Sequence, residues 1–159
     1  MLGDAAMPSP MNYRLRKHAD YQRVYKAGRK QFGRQMAYFF ALRDEAAAAR
    51  CDTEGPRIGL TVPKALGKAV ARNRIKRRMR EAVRRALPML SAPVDVVLHP
   101  KRSVLEAEFA GIEREVTTIF RSIEARAIEA RSVQTVAERG GVKLNPATAK
   151  AATVETTAP

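Results

Sequence analysis

Between Gly67 and Arg85 the chain carries nine cations (Lys68, Arg72, Arg74, Lys76, Arg77, Arg78, Arg80, Arg84 and Arg85) and one acid, Glu81. Wound as an α-helix from Ala69 to Leu87, this segment places Ile75, Met79, Ala82, Val83, Ala86 and Leu87 on one face. Asn73, Arg74, Lys76, Arg77, Arg80, Arg84 and Arg85 fall around the other. The apolar stripe has to dock on a core, so the helix belongs to a folded domain and is not a free basic arm. Pro88 is expected to stop it.

The start of this helix is poorly matched to its own dipole. Arg72 and Arg74 sit in or near the first turns with no Asp or Glu beside them. Each such cation opposes the dipole by ~0.3–1 kcal/mol. Gly67, a weak capper, is the only plausible cap. A bound phosphate reverses the balance, because backbone N–H groups and arginines then converge on one anion. Arginine grips phosphate with two parallel hydrogen bonds, and Asn73 adds a neutral donor and acceptor for a base edge or a sugar hydroxyl. The whole chain points the same way: a net charge of +14 over 159 residues implies a polyanionic partner. A membrane surface is the poorer match, since an interfacial helix presents bulky apolar residues to lipid and here the apolar face is needed for the core.

No apolar run approaches a membrane span and no signal peptide opens the chain, so cytoplasm is the default compartment. The lone Cys51 excludes an internal disulfide framework and gives no metal cluster. His18 and His99, far apart in sequence, read as surface or capping residues. Asp20 and Asp95 read as helix-start and strand-edge residues. With no carboxylate pair, His/Lys base site or metal-ligand cluster, the residues offer no catalytic centre of their own.

Around the basic helix the periodicities predict an α+β domain. A short helix is expected over Ala19–Ala27, stopped at Gly28. "QMAYFFALR" reads as a strand with Met36, Tyr38, Phe40 and Leu42 on its core face, and Ala37, Phe39 and Ala41 on the other. "DEAAAARCDTEGP" is a loop by composition. Arg57–Val62 and Val94–His99 read as further strands. Ser103 and Glu106 have capping-box spacing, ahead of a helix whose stripe is Leu105, Phe109, Ile112, Val116, Ile119, Phe120 and Ile123. Residues 1–12 and the end of the chain read as disordered tails. The division is a tail over 1–12, a folded basic domain over 13–127, and a helix extension with a tail over 128–159.

The segment "RIGLTVPKALGKAVARNRIKRRMREAVRR" closely resembles the signature of the bacterial ribonuclease P protein family: Lys-x-x-Gly-x-Ala-Val-x-Arg-Asn-Arg-x-Lys-Arg-x-x-Arg. It matches without a gap at Lys64, Gly67, Ala69, Val70, Arg72, Asn73, Arg74, Lys76, Arg77 and Arg80. The resemblance extends from about Leu15 to Phe120. It implies an α-β-β-β-α-β-α two-layer sandwich similar to the second domain of ribosomal protein S5. It also implies a left-handed βαβ crossover through the basic helix, which ordinary handedness rules would not give.

In that family a large RNA, using Mg²⁺, removes the 5′ leader of precursor tRNA, and the protein assists. The resemblance therefore implies ribonuclease P RNA and precursor tRNA as partners, with no membrane and no protein partner inferred. It assigns RNA-subunit contacts to Arg72, Asn73, Arg74, Lys76, Arg77 and Arg80, with Lys64 and Lys68 more peripheral. It assigns the single-stranded leader to a cleft lined by Tyr21, Tyr25 and Phe39. The family often has phenylalanine at the two helix positions and tyrosine on the strand. The exchange here keeps the stacking rings and removes the strand hydroxyl. Two other readings compete: a general basic scaffold protein, in which the three rings are core packing, and a nuclease in its own right.

Overall fold

The computed structural model describes residues 13–44, 46–47 and 55–140, with the backbone alone for 137–140. The expected tails at 1–12 and 141–159, and most of the alanine-rich loop, lie outside the described residues. The elements are α1 (His18–Ala27), β1 (Gln31–Phe32), β2 (Met36–Leu42), β3 (Arg57–Leu60), α2 (Ala69–Ala86), β4 (Val94–Pro100) and α3 (Phe109–Gly140). Their order is the expected α-β-β-β-α-β-α. The chain divides into two units, 1–127 and 128–159. In the second, the described residues are helical, with Ile128, Val133 and Val136 exposed.

The sheet order is β1-β2-β4-β3. β2 is antiparallel to both neighbours, and β3 runs parallel to β4, the two being joined through α2. Outside β3, residues 13–15 continue the ladder: Leu15 N–H donates to Ile58 O at 3.0 Å and Ile58 N–H to Tyr13 O at 2.6 Å. This segment covers the edge strand.

Alternation along the strands separates two apolar clusters. On one face Met36, Tyr38, Ile58, Val94, Val96 and Leu98 meet Ile75, Met79, Ala82, Val83 and Ala86 of α2 and Ile112, Val116, Ile119, Phe120 and Ile123 of α3. On the other, Val97 and Ala41 meet Val24 of α1 and Leu15, with Tyr21, Tyr25 and Phe39 packed alongside. The main core is therefore sheet against α2 and α3, and α1 lies on the opposite face. Gly59 allows that helix to come close, since a Cβ there would stand 2.6 Å from the Tyr21 hydroxyl.

Several local expectations are corrected. Leu42, assigned to the core face, is 43% exposed at the end of β2. The third strand ends at Leu60 and not Val62. Gly67 is not the cap of α2. It has φ 137°, a conformation glycine alone adopts without strain, and its N–H closes the 3₁₀ turn Lys64–Leu66, while Lys68 is the N-cap with no side-chain bond. The helix ends at Ala86, and Leu87 and Pro88 form a 3₁₀ turn. The capping box does not form. Ser103 Oγ donates instead to Gln35 Oε1 at 2.6 Å, Arg102–Leu105 make a 3₁₀ turn, and α3 starts only at Phe109. A tertiary acceptor has displaced the local one, and Leu105 packs on the core from outside the helix.

Asp95 is the largest correction. It is fully buried, and β4 is an interior strand, not an edge. Arg57 grips the carboxylate with Nε at 2.8 Å and Nη2 at 2.8 Å, Arg23 reaches it at 2.6 Å, and the buried Arg43 lies 3.4 Å away. Asp20, in the first turn of α1, also accepts from Arg23 and Arg57 at 3.3 and 3.2 Å. This network ties α1 to β3 and β4. Among the described residues no helix is long and apolar enough to cross a membrane.

Candidate nucleic-acid interface

The cations of α2 divide into two groups by what they face. Arg78 donates to the carbonyls of Val104, Leu105 and Ala107, the Leu105 bond being 3.0 Å long, and so ties α2 to the turn before α3. Arg84 and Arg85 close on Glu81, with nitrogen–oxygen distances of 2.6 and 2.9 Å. The Arg84 and then the Arg85 hydrogen bonds hold the Glu81 carboxyl at about 2, well below the usual carboxylate range. Arg85 also stacks its guanidinium 5.0 Å from the Phe109 ring centre.

The other group is the one named by the motif. Lys64 and Lys68 are exposed on the turn leading into α2, as are Asn73, Arg74, Arg77 and Arg80 along it, with Arg72 and Lys76 half-buried. None of these cations is ion-paired with an acid among the described residues. No acid stands in the first turn of α2. Arg72 carries a buried Nε that no group among the described residues bonds. The apolar stripe on Ile75, Met79 and Ala82 fixes which way these side chains point, so the uncompensated charge forms one ridge.

The three aromatics come together on the opposite face of the sheet. Tyr25 and Phe39 pack edge to face, with ring centres 5.0 Å apart. Tyr21 sits over Gly59 and donates its hydroxyl to Leu15 O at 3.2 Å. Burial and then the neighbouring Tyr25 raise the Tyr21 pKa, so this hydroxyl stays protonated.

His99, assigned above to a surface or capping role, is a fourth member. Its ring lies 5.7 Å from Tyr25 and 5.5 Å from Phe39, and its Nε2 is 3.2 Å from the Tyr25 hydroxyl, which also meets Thr61 Oγ1 at 3.3 Å. Burial, then the charge of Lys30, lower its pKa below the ordinary 6.5, so the ring is neutral at pH 7. Only the strand register, which pairs His99 with Ala37, brings it to this face. His18 is exposed at the start of α1, 3.4 Å from the Gln22 side chain.

Two grooves connect the regions. One, of ≈ 510 Å³, runs between α1 and the end of β3, with Tyr21, Tyr25, Thr61 and Lys76 in its wall. The other, of ≈ 470 Å³, lies between α2 and the segment along β3, with Tyr13, Arg77, Arg80 and Arg84 in its wall. They share Tyr21, Leu60 and Lys76. The aromatic face and the cationic ridge are thus neighbouring surfaces, with Lys76 in the wall of both grooves. Among the described residues no three His, Cys, Asp or Glu side chains are grouped to hold a metal ion.

The family model for ribonuclease P matches residues 9–124. The chain belongs to the ribonuclease P protein family. The ribonuclease P protein component of Acidothermus cellulolyticus is 33% identical over 106 residues, covering 67% of this chain and 83% of that one. The component from an Exiguobacterium species is 35% identical over 109 residues, covering 69% and 88%. The crystal structure of the Staphylococcus aureus RNase P protein superposes with a TM-score of 0.57 at 28% identity, covering 70% of this chain and 95% of that one. The Thermotoga maritima RNase P protein, at 24% identity, shares the fold with a TM-score of 0.58 over 70% and 97%.

Proposed function

We propose that this chain is the protein subunit of a ribonuclease P, binding the catalytic RNA through α2 and the single-stranded 5′ leader of precursor tRNA through the aromatic face. The observation that carries this reading is the ridge of motif cations without acidic partners, beside a cluster of rings at the edge of an open groove. Lys64, Lys68, Arg72, Arg74, Lys76, Arg77 and Arg80 supply charge for RNA phosphates, and Asn73 supplies a neutral contact. Each neutralised phosphate releases counterions and steepens the salt dependence by roughly 0.9 on the duplex scale.

Tyr21, Tyr25 and Phe39 supply stacking surface for leader bases, at ~1–3 kcal/mol per base. The Tyr25 hydroxyl and neutral His99 hold the rings in place without adding charge. Catalysis belongs to the RNA subunit with its Mg²⁺, in the cytoplasm. The protein's own residues contribute binding and orientation.

The test is cleavage of a precursor tRNA at near-physiological Mg²⁺ with bacterial ribonuclease P RNA alone, this protein alone, and both. Efficient cutting at the mature 5′ end by the mixture only is the expected result. If the protein adds nothing to the RNA, the basic scaffold reading takes over. Cleavage by the repurified protein alone would make it a nuclease.

A further inference from the structure

The α1 side of the sheet continues past the aromatic cluster. Ala37 pairs with His99 on β4 and with Phe32 on β1. Residues opposite one another in a ladder point to the same face. Phe32, Ala37 and His99 therefore form one row, extended on the β3 side by Thr61, whose N–H donates to Leu98 O at 3.0 Å. The row crosses four strands, about 14 Å at the usual strand spacing.

At its outer end Phe32 is 74% exposed. The Lys30 ammonium lies 5.2 Å from its ring centre, and its charge also lowers the His99 pKa. The β1–β2 turn is pinned from below. Gln35 N–H donates to both Glu115 carboxylate oxygens at 2.9 Å, Lys101 N–H donates to Gln35 O at 2.9 Å, and the Lys101 ammonium donates to Gly33 O at 3.1 Å. A rigid mount thus presents an aromatic ring and a cation to solvent, in line with the groove.

We infer that Phe32 is a further base-stacking residue, which takes a leader nucleotide farther from the cleavage site than those held by Tyr25 and Phe39. The inference rests on the leader reading above. Its direction follows from the strand order: α2 and Lys76 stand at the β3 end, and β1 is the opposite edge. A strand entering from the RNA-bound end reaches Phe32 last. The ligand is single-stranded RNA read by its π-face, with Lys30 placed for the adjoining phosphate.

The experiment uses the holoenzyme assembled with a bacterial ribonuclease P RNA, and precursor tRNAs with leaders of increasing length. Affinity is measured for the unaltered protein and for Phe32→Ala, Phe32→Trp and Phe39→Ala. The outermost leader nucleotides are expected to add about five-fold in affinity, the low end of base stacking on an aromatic ring. Phe32→Ala removes that increment and Phe32→Trp keeps it, while Phe39→Ala already loses affinity on shorter leaders. If Phe39→Ala loses affinity but Phe32→Ala still gains normally with length, the track ends at the aromatic cluster and the inference is overturned. If Phe39→Ala binds every leader normally, the leader reading fails and the inference falls with it.

Discussion

Around Asp95, three arginines converge on one buried carboxylate, whereas the motif cations of α2 converge on nothing the described residues supply. Both regions are rich in guanidinium, and the difference lies in the counter-charge. Arg23, Arg43 and Arg57 have their anion inside the fold, so their work is structural. Arg72, Arg74 and Arg77 leave the N-terminal half of a helix uncompensated and Arg80 extends the charge beyond it, a cost that an external polyanion removes. Charge density alone does not separate the two roles; the position of the acids does.

The largest expected effect breaks the first region. Asp95→Ala leaves buried guanidinium groups without their carboxylate, and breaking a buried pair in this way costs about 3–5 kcal/mol. Urea unfolding is expected to show a destabilisation of that size. A loss below about 1 kcal/mol would mean that the arginines find other partners.

Next come the leader rings. Phe39→Ala or Tyr25→Ala should weaken precursor tRNA binding by ~1–3 kcal/mol per lost stack, with a smaller loss for mature tRNA. Equal losses on both substrates would make the rings simple packing. Arg78→Ala sharpens the comparison within α2 itself. It should destabilise the fold by about 1–3 kcal/mol through three carbonyls left without their donor, with little change in the salt dependence of RNA binding.

The smallest effect concerns pH. The folded-state pKa of His99 lies below its unfolded value, so between the two the unfolded chain binds the extra proton. Its contribution to stability is lost progressively as pH falls below about 6.5. Ring-proton NMR should show His99 titrating below that value. A midpoint above it would mean that the ring is charged in the cluster and that the neutral assignment is wrong.

The basic helix was legible because its stripe has a strong 3.6-residue period, and Ile75, Met79, Ala82 and Val83 occupy the predicted face. The helical stripe of Ile112 to Ile123 was legible for the same reason. What failed depended on partners distant in sequence. Ser103 has capping-box spacing, yet Gln35, 68 residues away, takes its hydroxyl. Asp95 looks like a lone acid until the sheet order places it in an interior strand beside Arg57. His99 joins Tyr25 and Phe39 only through the β2–β4 register. The ring trio Tyr21, Tyr25 and Phe39 followed from the family resemblance, since alternation alone left Phe39 as one ring on a small-residue face. Arg78 was indistinguishable from its neighbours, because nothing local shows that its guanidinium turns toward the carbonyls before α3.

The central claim is that the unpaired cations of α2 are the ones RNA neutralises. It is tested most directly by the salt dependence of binding to ribonuclease P RNA for two pairs of variants on the same helix. Arg74→Ala and Arg77→Ala should each flatten the slope of log affinity against log salt by roughly 0.9 if each meets one phosphate, with folding stability unchanged or slightly higher. Arg84→Ala and Arg85→Ala, whose guanidinium groups face Glu81, should flatten it far less. Equal slopes lost by both pairs, or unfolding by Arg74→Ala, would contradict the account.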